Sequence, residues 1–225
     1  MKTPLIAPSL IYMNLAKLEE QIKFLDERVS FYHIDIMDGH FVPNLALSPF
    51  FVEHVSKFGK VKQDCHMMVT NPENYIEALA KAGAGMVSFH AETVNGKAYR
   101  IIDLIRANHM DVGVVLNPET RIQDVEMYLS RVDKVTLMTV DPGYDGQTFI
   151  AEVAEKIEQL KKFRKDNFMD FLIETDGACD KKTYKTLINA GADVLVIGKT
   201  GLFNNDINIA KAWDIMMSNI KTTVK

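Results

Sequence analysis

The sequence holds only two cysteines, Cys65 and Cys179, among 225 residues. So few exclude a disulfide framework, and the expectation is two free structural thiols in a reducing cytoplasm. Positive charge is not in excess: 26 Lys+Arg stand against 30 Asp+Glu, a formal net charge of -4 with a pI near 5.9. A mildly acidic chain without a basic block lacks the electrostatic footprint that nucleic acid demands. No apolar run approaches the roughly 18 residues of a membrane span. The opening MKTPLIAPSL lacks the apolar stretch of a signal peptide. The expected setting is therefore cytoplasmic, with no nucleic-acid or membrane partner. Linkers, charge blocks and low-complexity segments are also missing, which leaves one domain over 1–225.

What is present is alternation. Short β-branched runs begin at Leu5, Phe31, Val61, Met86, Val112, Val135, Phe171 and Val194, and each is followed by a stretch of helical periodicity. After the first, Leu15, Leu18, Ile22 and Leu25 recur at helix spacing behind Asn14 as N-cap. Pro49 suits a first helical turn, Asn71-Pro72 opens another helix, and Gly83 closes it. Further helices are expected around 125–129, over 150–165 and over 210–220. Eight strand–helix units in this length favour a single (β/α)8 TIM barrel over an open doubly wound sheet. The Gly-x-Gly-x-x-Gly turn of the open sheet is also missing, because Ser9-Leu10-Ile11-Tyr12 stands after the first strand.

Polar residues gather at the carboxyl ends of these runs: Ser9, His33 to Asp38, Asp64 to His66, His90, Asn117, Asp141, Asp176 and Gly198 to Thr200. In a barrel that end carries the active site. His33 and Asp35, two apart in a strand, point to one face; His66 and Asp176 can meet them there. Any one of these alone reads as a buried histidine or a turn aspartate. Two imidazoles and two carboxylates together suit one divalent ion such as zinc, cobalt, manganese or iron. A metal between two carboxylates suggests proton removal next to a carbonyl, Lewis-acid stabilisation of the enediolate, and proton return from the other face. Met37, Met68 and Met138 would wall the reacting carbons from water, whereas Met67 alternates into the core. Gly143, Tyr144, Asp145 and Gly146, then Gly177-Ala178, then Gly198-Lys199-Thr200 would hold a phosphate through backbone N–H groups. Gly198-Lys199-Thr200 is no nucleotide P-loop, because Asp193 occupies the position of its upstream glycine.

The stretches His33 to Asn44, Asp64 to Val69, Leu116 to Pro118, Met138 to Phe149 and Asp176-Gly177 resemble, in order, the ribulose-phosphate 3-epimerase family. The resemblance implies a barrel of the ribulose-phosphate-binding type and an isomerase that inverts C3 of a phosphorylated ketose. It implies His33, Asp35, His66 and Asp176 as ligands of one divalent metal, with magnesium added to the list above. Asp35 would be the proton acceptor and Asp176 the donor, Ser9 and His66 would touch the sugar, and the three glycine-bearing loops would hold the phosphate. A homo-oligomer, dimer or hexamer, is also implied. Asp141, Ala178-Cys179 and Lys199-Thr200 through Asn204 depart from the usual pattern and look more like the D-allulose-6-phosphate 3-epimerase branch. The expected substrate is therefore D-allulose 6-phosphate, converted to D-fructose 6-phosphate, with D-ribulose 5-phosphate as the alternative. Two other readings are a Schiff-base lyase using Lys199, which leaves the histidines and paired aspartates without a role, and a non-catalytic phosphosugar-binding barrel.

Overall fold

The computed structural model describes residues 3–224; Met1, Lys2 and Lys225, which the expected domain also spans, lie outside the described residues. The strands are β1 Leu5–Pro8, β2 Phe31–Met37, β3 Lys62–Met68, β4 Met86–His90, β5 Asp111–Leu116, β6 Lys134–Met138, β7 Leu172–Asp176 and β8 Val194–Ile197. All neighbours pair in parallel within one eight-stranded sheet. A parallel bridge between Ser9 and His33 joins the first strand to the second and closes the barrel. The α-helices are α1 Leu18–Leu25, α2 Pro49–Ser56, α3 Ile76–Ala82, α4 Ala98–Ala107, α5 Val153–Asp166, α6 Tyr184–Ala190 and α7 Ile209–Val224.

Local chemistry explains the boundaries. The Asn14 side chain accepts the N–H of Ala16, capping the turn that leads into α1. Gly83 ends α3 with φ 96°, a left-handed cap that favours glycine. The expected helix around 125–129 is not α-helical: 3-10 turns over Ile122–Asp124 and Glu126–Arg131 make the fifth crossover. The helix expected from Ile150 begins at Val153, and β6 and β7 end at Met138 and Asp176 rather than at Val140 and Thr175.

Alternation divides the strand residues between two environments. Tyr32, Ile34, Ile36, Cys65, Met67, Val87 and Phe89 face outward and pack with the helices in the main core. Both cysteines are free and buried. The lumen is layered. Ala7, Phe31, Val194 and Val196 form an apolar cluster on the β8 side of it, with Val196 reaching the cavity above. Beside them Lys134 reaches Asp64 and Glu174, all three fully buried. Ser88 Oγ donates to Asp64 at 2.7 Å and Thr136 Oγ1 to Glu174 at 2.8 Å. Gly113 makes room for this layer, since a Cβ there would stand 2.0 Å from Ser88 Oγ. The next layer up is the site.

Candidate active site and metal centre

The ladder between β2 and β3 sets Asp35 beside His66 and His33 beside Asp64. His33 Nε2 lies 3.1 Å from His66 Nδ1. Asp35 Oδ1 stands 3.3 Å from His33 Nε2 and 3.5 Å from His66 Nδ1. Asp176 Oδ2, from β7, stands 3.2 and 3.3 Å from the same two nitrogens. Four lone-pair atoms therefore converge within 4.8 Å of one another.

Electrostatics show what such a point demands. Burial opposes ionisation of Asp35 and Asp176, but His33 and His66 outweigh it and hold both carboxyls below the usual range. Burial likewise opposes protonation of the imidazoles, but the two carboxylates raise both histidines above their ordinary value. A cluster that draws protons onto buried rings is a cluster that calls for a cation. Two imidazole nitrogens and two carboxylate oxygens are a donor set for a borderline divalent metal, so the residues fit one. His33, Asp64 and Glu174 form a second close-set group. That group already holds its cation, because Lys134 bonds both carboxylates.

The other ring nitrogens point away from the cluster. His33 Nδ1 faces Glu174 Oε1 at 3.8 Å. His66 Nε2 lies 2.8 Å from His90 Nε2, and His90 Nδ1 lies 3.2 Å from Glu92 Oε2. Burial lowers His90 to about 4, so the ring is neutral at physiological pH. Burial would raise Glu92, but bonds from His90, Thr120 and the Asn117 N–H bring it to about 2.

Above the cluster opens a cavity of about 830 Å³. Asp35 and Asp176 line its floor with Ser9, Met37, Met68 and Met138. His33 and His66 lie beneath that floor, at 1% and 0% exposure, and do not line the cavity. Gly143, Tyr144, Asp145, Gly146, Gly177, Ala178, Gly198, Lys199 and Thr200 line its wall and rim. Every expected substrate contact except His66 thus borders one space. Met67 packs outward, fully buried in the core. The loop after β2 covers part of the opening: Asn44 Nδ2 donates to the Gly143 carbonyl at 2.9 Å. Asp38 organises that loop by accepting the N–H groups of His40, Phe41 and Thr70 at 2.8 to 3.0 Å. Gly177 has φ 101°, and a Cβ there would stand 2.5 Å from Val140 Cγ2. Ala178 follows with φ 47°, a left-handed conformation that an alanine holds at a cost of about 1–2 kcal/mol.

Lys199 Nζ pairs with Asp145 Oδ2 at 3.0 Å across the rim, with side chains 50% and 44% exposed. A solvated, paired ammonium is not the desolvated amine that Schiff-base chemistry uses. Sequence reasoning passes over Tyr12, which borders the cavity beside Gly198. It also passes over the Lys134 layer. The inward positions Lys134, Thr136 and Met138, two apart, carry that signal.

Among the described residues no helix is long and apolar enough to cross a membrane. A family model described as the ribulose-phosphate 3 epimerase family matches residues 5–203. A ribulose-phosphate 3-epimerase of Bacillus subtilis is 42% identical over 195 residues, covering 86% of this chain and 89% of that one. A ribulose-phosphate 3-epimerase of Synechocystis is 36% identical over 205 residues, covering 90% and 89%. Among solved structures, KGPDC from Streptococcus mutans superposes with a TM-score of 0.74 at 15% identity, covering 99% of each chain, a likeness of fold alone.

Proposed function

The chain belongs to the ribulose-phosphate 3-epimerase family, and from that premise we propose that it inverts C3 of a phosphorylated ketose by proton transfer between Asp35 and Asp176. One observation carries this reading. Both carboxylates place one oxygen in the histidine cluster, and both border the cavity from strands on different parts of the wall, β2 and β7. A base and an acid so separated can address opposite faces of one carbon, which inversion requires.

Asp35 acts as proton acceptor. Ser9 Oγ donates to its Oδ2 at 2.6 Å, which fixes the carboxylate and leaves it ionised. Asp176 returns the proton from the other side, and the two exchange roles in reverse. Met37, Met68 and Met138 border the reacting carbons and limit water, which protects a reactive intermediate. The phosphate sits at the outer end, against 143–146, Gly177-Ala178 and 198–200. His33, Asp35, His66 and Asp176 would hold a divalent metal, and such an ion supplies Lewis-acid stabilisation of the substrate oxygens. Chelation is expected to lower activity by roughly 10²–10³-fold or more, the equivalent of several kcal/mol. Added zinc, cobalt, manganese, iron or magnesium should restore it. Full turnover by protein shown to be metal-free overturns the metal reading.

Two substrates compete. The relatives are named ribulose-phosphate 3-epimerases, which favours D-ribulose 5-phosphate. Nothing in those names supports a hexulose. The D-allulose 6-phosphate reading rests on the likeness of Asp141, Ala178-Cys179 and Lys199-Thr200 to that branch; of these, Asp141, Ala178, Cys179, Lys199 and Thr200 all border the cavity. A cavity of about 830 Å³ admits either sugar, so volume does not choose. The check is kcat/KM for both substrates, side by side, on metal-loaded protein. A preference of tenfold or more, about 1.4 kcal/mol, assigns the substrate. If the pentulose is preferred, the hexulose reading falls.

A further inference from the structure

We propose that Glu92, acting through His90, is a positioning residue that fixes the protonation of His66 so that Nδ1 faces the metal cluster as a bare lone pair. The inference rests on the metal reading above and adds a chain of control outside the four ligands.

The argument is one of donors and acceptors. Glu92 Oε1 accepts the Asn117 N–H at 3.0 Å and the Thr120 hydroxyl, and its Oε2 faces His90 Nδ1 at 3.2 Å. An ionised carboxylate only accepts, so His90 must carry its proton on Nδ1. A neutral imidazole has one N–H, so His90 Nε2 is then an acceptor. His66 Nε2, 2.8 Å away, must donate to it. In the neutral ring that a metal requires, the bare nitrogen is then Nδ1, aimed at His33, Asp35 and Asp176. Two hydrogen bonds thus carry the choice made at Glu92 to an atom in the site. His90 is fully buried, so water offers no alternative partner. Carboxylate partners of metal-binding histidines orient the ring in this way. Here a second imidazole is interposed.

The geometry makes Glu92→Gln a sharp reversal. The Asn117 N–H needs an acceptor, which holds the glutamine oxygen on that side and turns the amide NH₂ towards His90 Nδ1. His90 Nδ1 must then accept, His90 Nε2 donate, and His66 Nε2 accept. His66 would carry its proton on Nδ1, where it blocks ligation.

The test is zinc binding by chelator competition, together with ¹⁵N–¹H spectra of the histidine rings in zinc-loaded protein. Wild-type protein should show protons on His66 Nε2 and His90 Nδ1. Glu92→Gln should weaken zinc about 10–100-fold. Thr120→Val, which removes a bond to Oε1 and leaves Oε2 on His90, should bind zinc as wild type does. Zinc affinity unchanged in Glu92→Gln while wild type binds zinc overturns this inference alone. Wild-type protein that binds no zinc overturns it together with the metal reading. Should Glu92→Gln not fold, the wild-type spectrum decides: a bare Nδ1 on His90 overturns the relay.

Discussion

Replacing Asp35 by asparagine is expected to abolish epimerisation while leaving the barrel folded. The amide has the shape of the carboxylate, and its oxygen can still accept from Ser9 Oγ, now 2.6 Å from Asp35 Oδ2. What it loses is the ability to take a proton and the charge it brings to the cluster 3.3 and 3.5 Å from the histidine nitrogens. General-base catalysis alone contributes roughly 10²–10⁴-fold, so kcat/KM should fall at least that far, with an unchanged circular dichroism spectrum and melting curve. Asp176→Asn distinguishes the two roles. With the donor removed and Asp35 intact, one epimer in D₂O should exchange its C3 hydrogen without inverting, a result read directly by NMR. Turnover by Asp35→Asn at the wild-type rate would remove Asp35 as the base.

The largest effect on stability is expected from Lys134→Met. Lys134, Asp64 and Glu174 are fully buried, and the lysine bonds both carboxylates. Burial works against the ammonium, yet the two carboxylates outweigh it and raise its pKa. Asp64, which burial alone would raise, is held low by the same contact. Removing one partner of a buried ion pair leaves an uncompensated charge and costs about 3–5 kcal/mol. For a chain of this length that lowers Tm by roughly 6–20 °C. The sign of the pH dependence follows. In the wild type the depressed Asp64 contributes stability above its unfolded pKa; in the variant the buried, unpaired carboxyl favours its protonated form. The deficit relative to wild type should therefore widen as pH rises through the carboxylate range and shrink in acid. Urea unfolding at two pH values checks it; a variant within about 1 kcal/mol of wild type at neutral pH would show the layer to be dispensable. His33 Nδ1 stands 3.8 Å from Glu174, so the site above this layer is also expected to lose order.

Much of the site was legible without coordinates, and the reason is periodicity. His33 and Asp35 are two apart in a strand, as are Asp64 and His66, and Glu174 and Asp176. Alternation puts each such pair on one face, and a parallel barrel gives that face a lumen. Strand ends therefore name a site, and four of its residues did meet. The same rule correctly sent Met67 outward and Met68 inward. It failed at the fifth crossover, where the apolar spacing around Val125 to Leu129 is satisfied by 3-10 turns as well as by an α-helix.

The sequence by itself determined the eight-fold alternation, the parallel sheet it implies, and the inward facing of His33 with Asp35, of Asp64 with His66 and of Glu174 with Asp176, because each of these depends on residues close together in the chain. Only the tertiary structure decided that Lys134 answers both Asp64 and Glu174, that His66 rather than His33 leans on His90 and Glu92, and that Lys199 meets Asp145 across the rim. Apart from the neighbours His90 and Glu92, these partners are 24 to 70 residues apart along the chain. What brings them to one level is the stagger of the strands on closure, which no local pattern of hydrophobicity records.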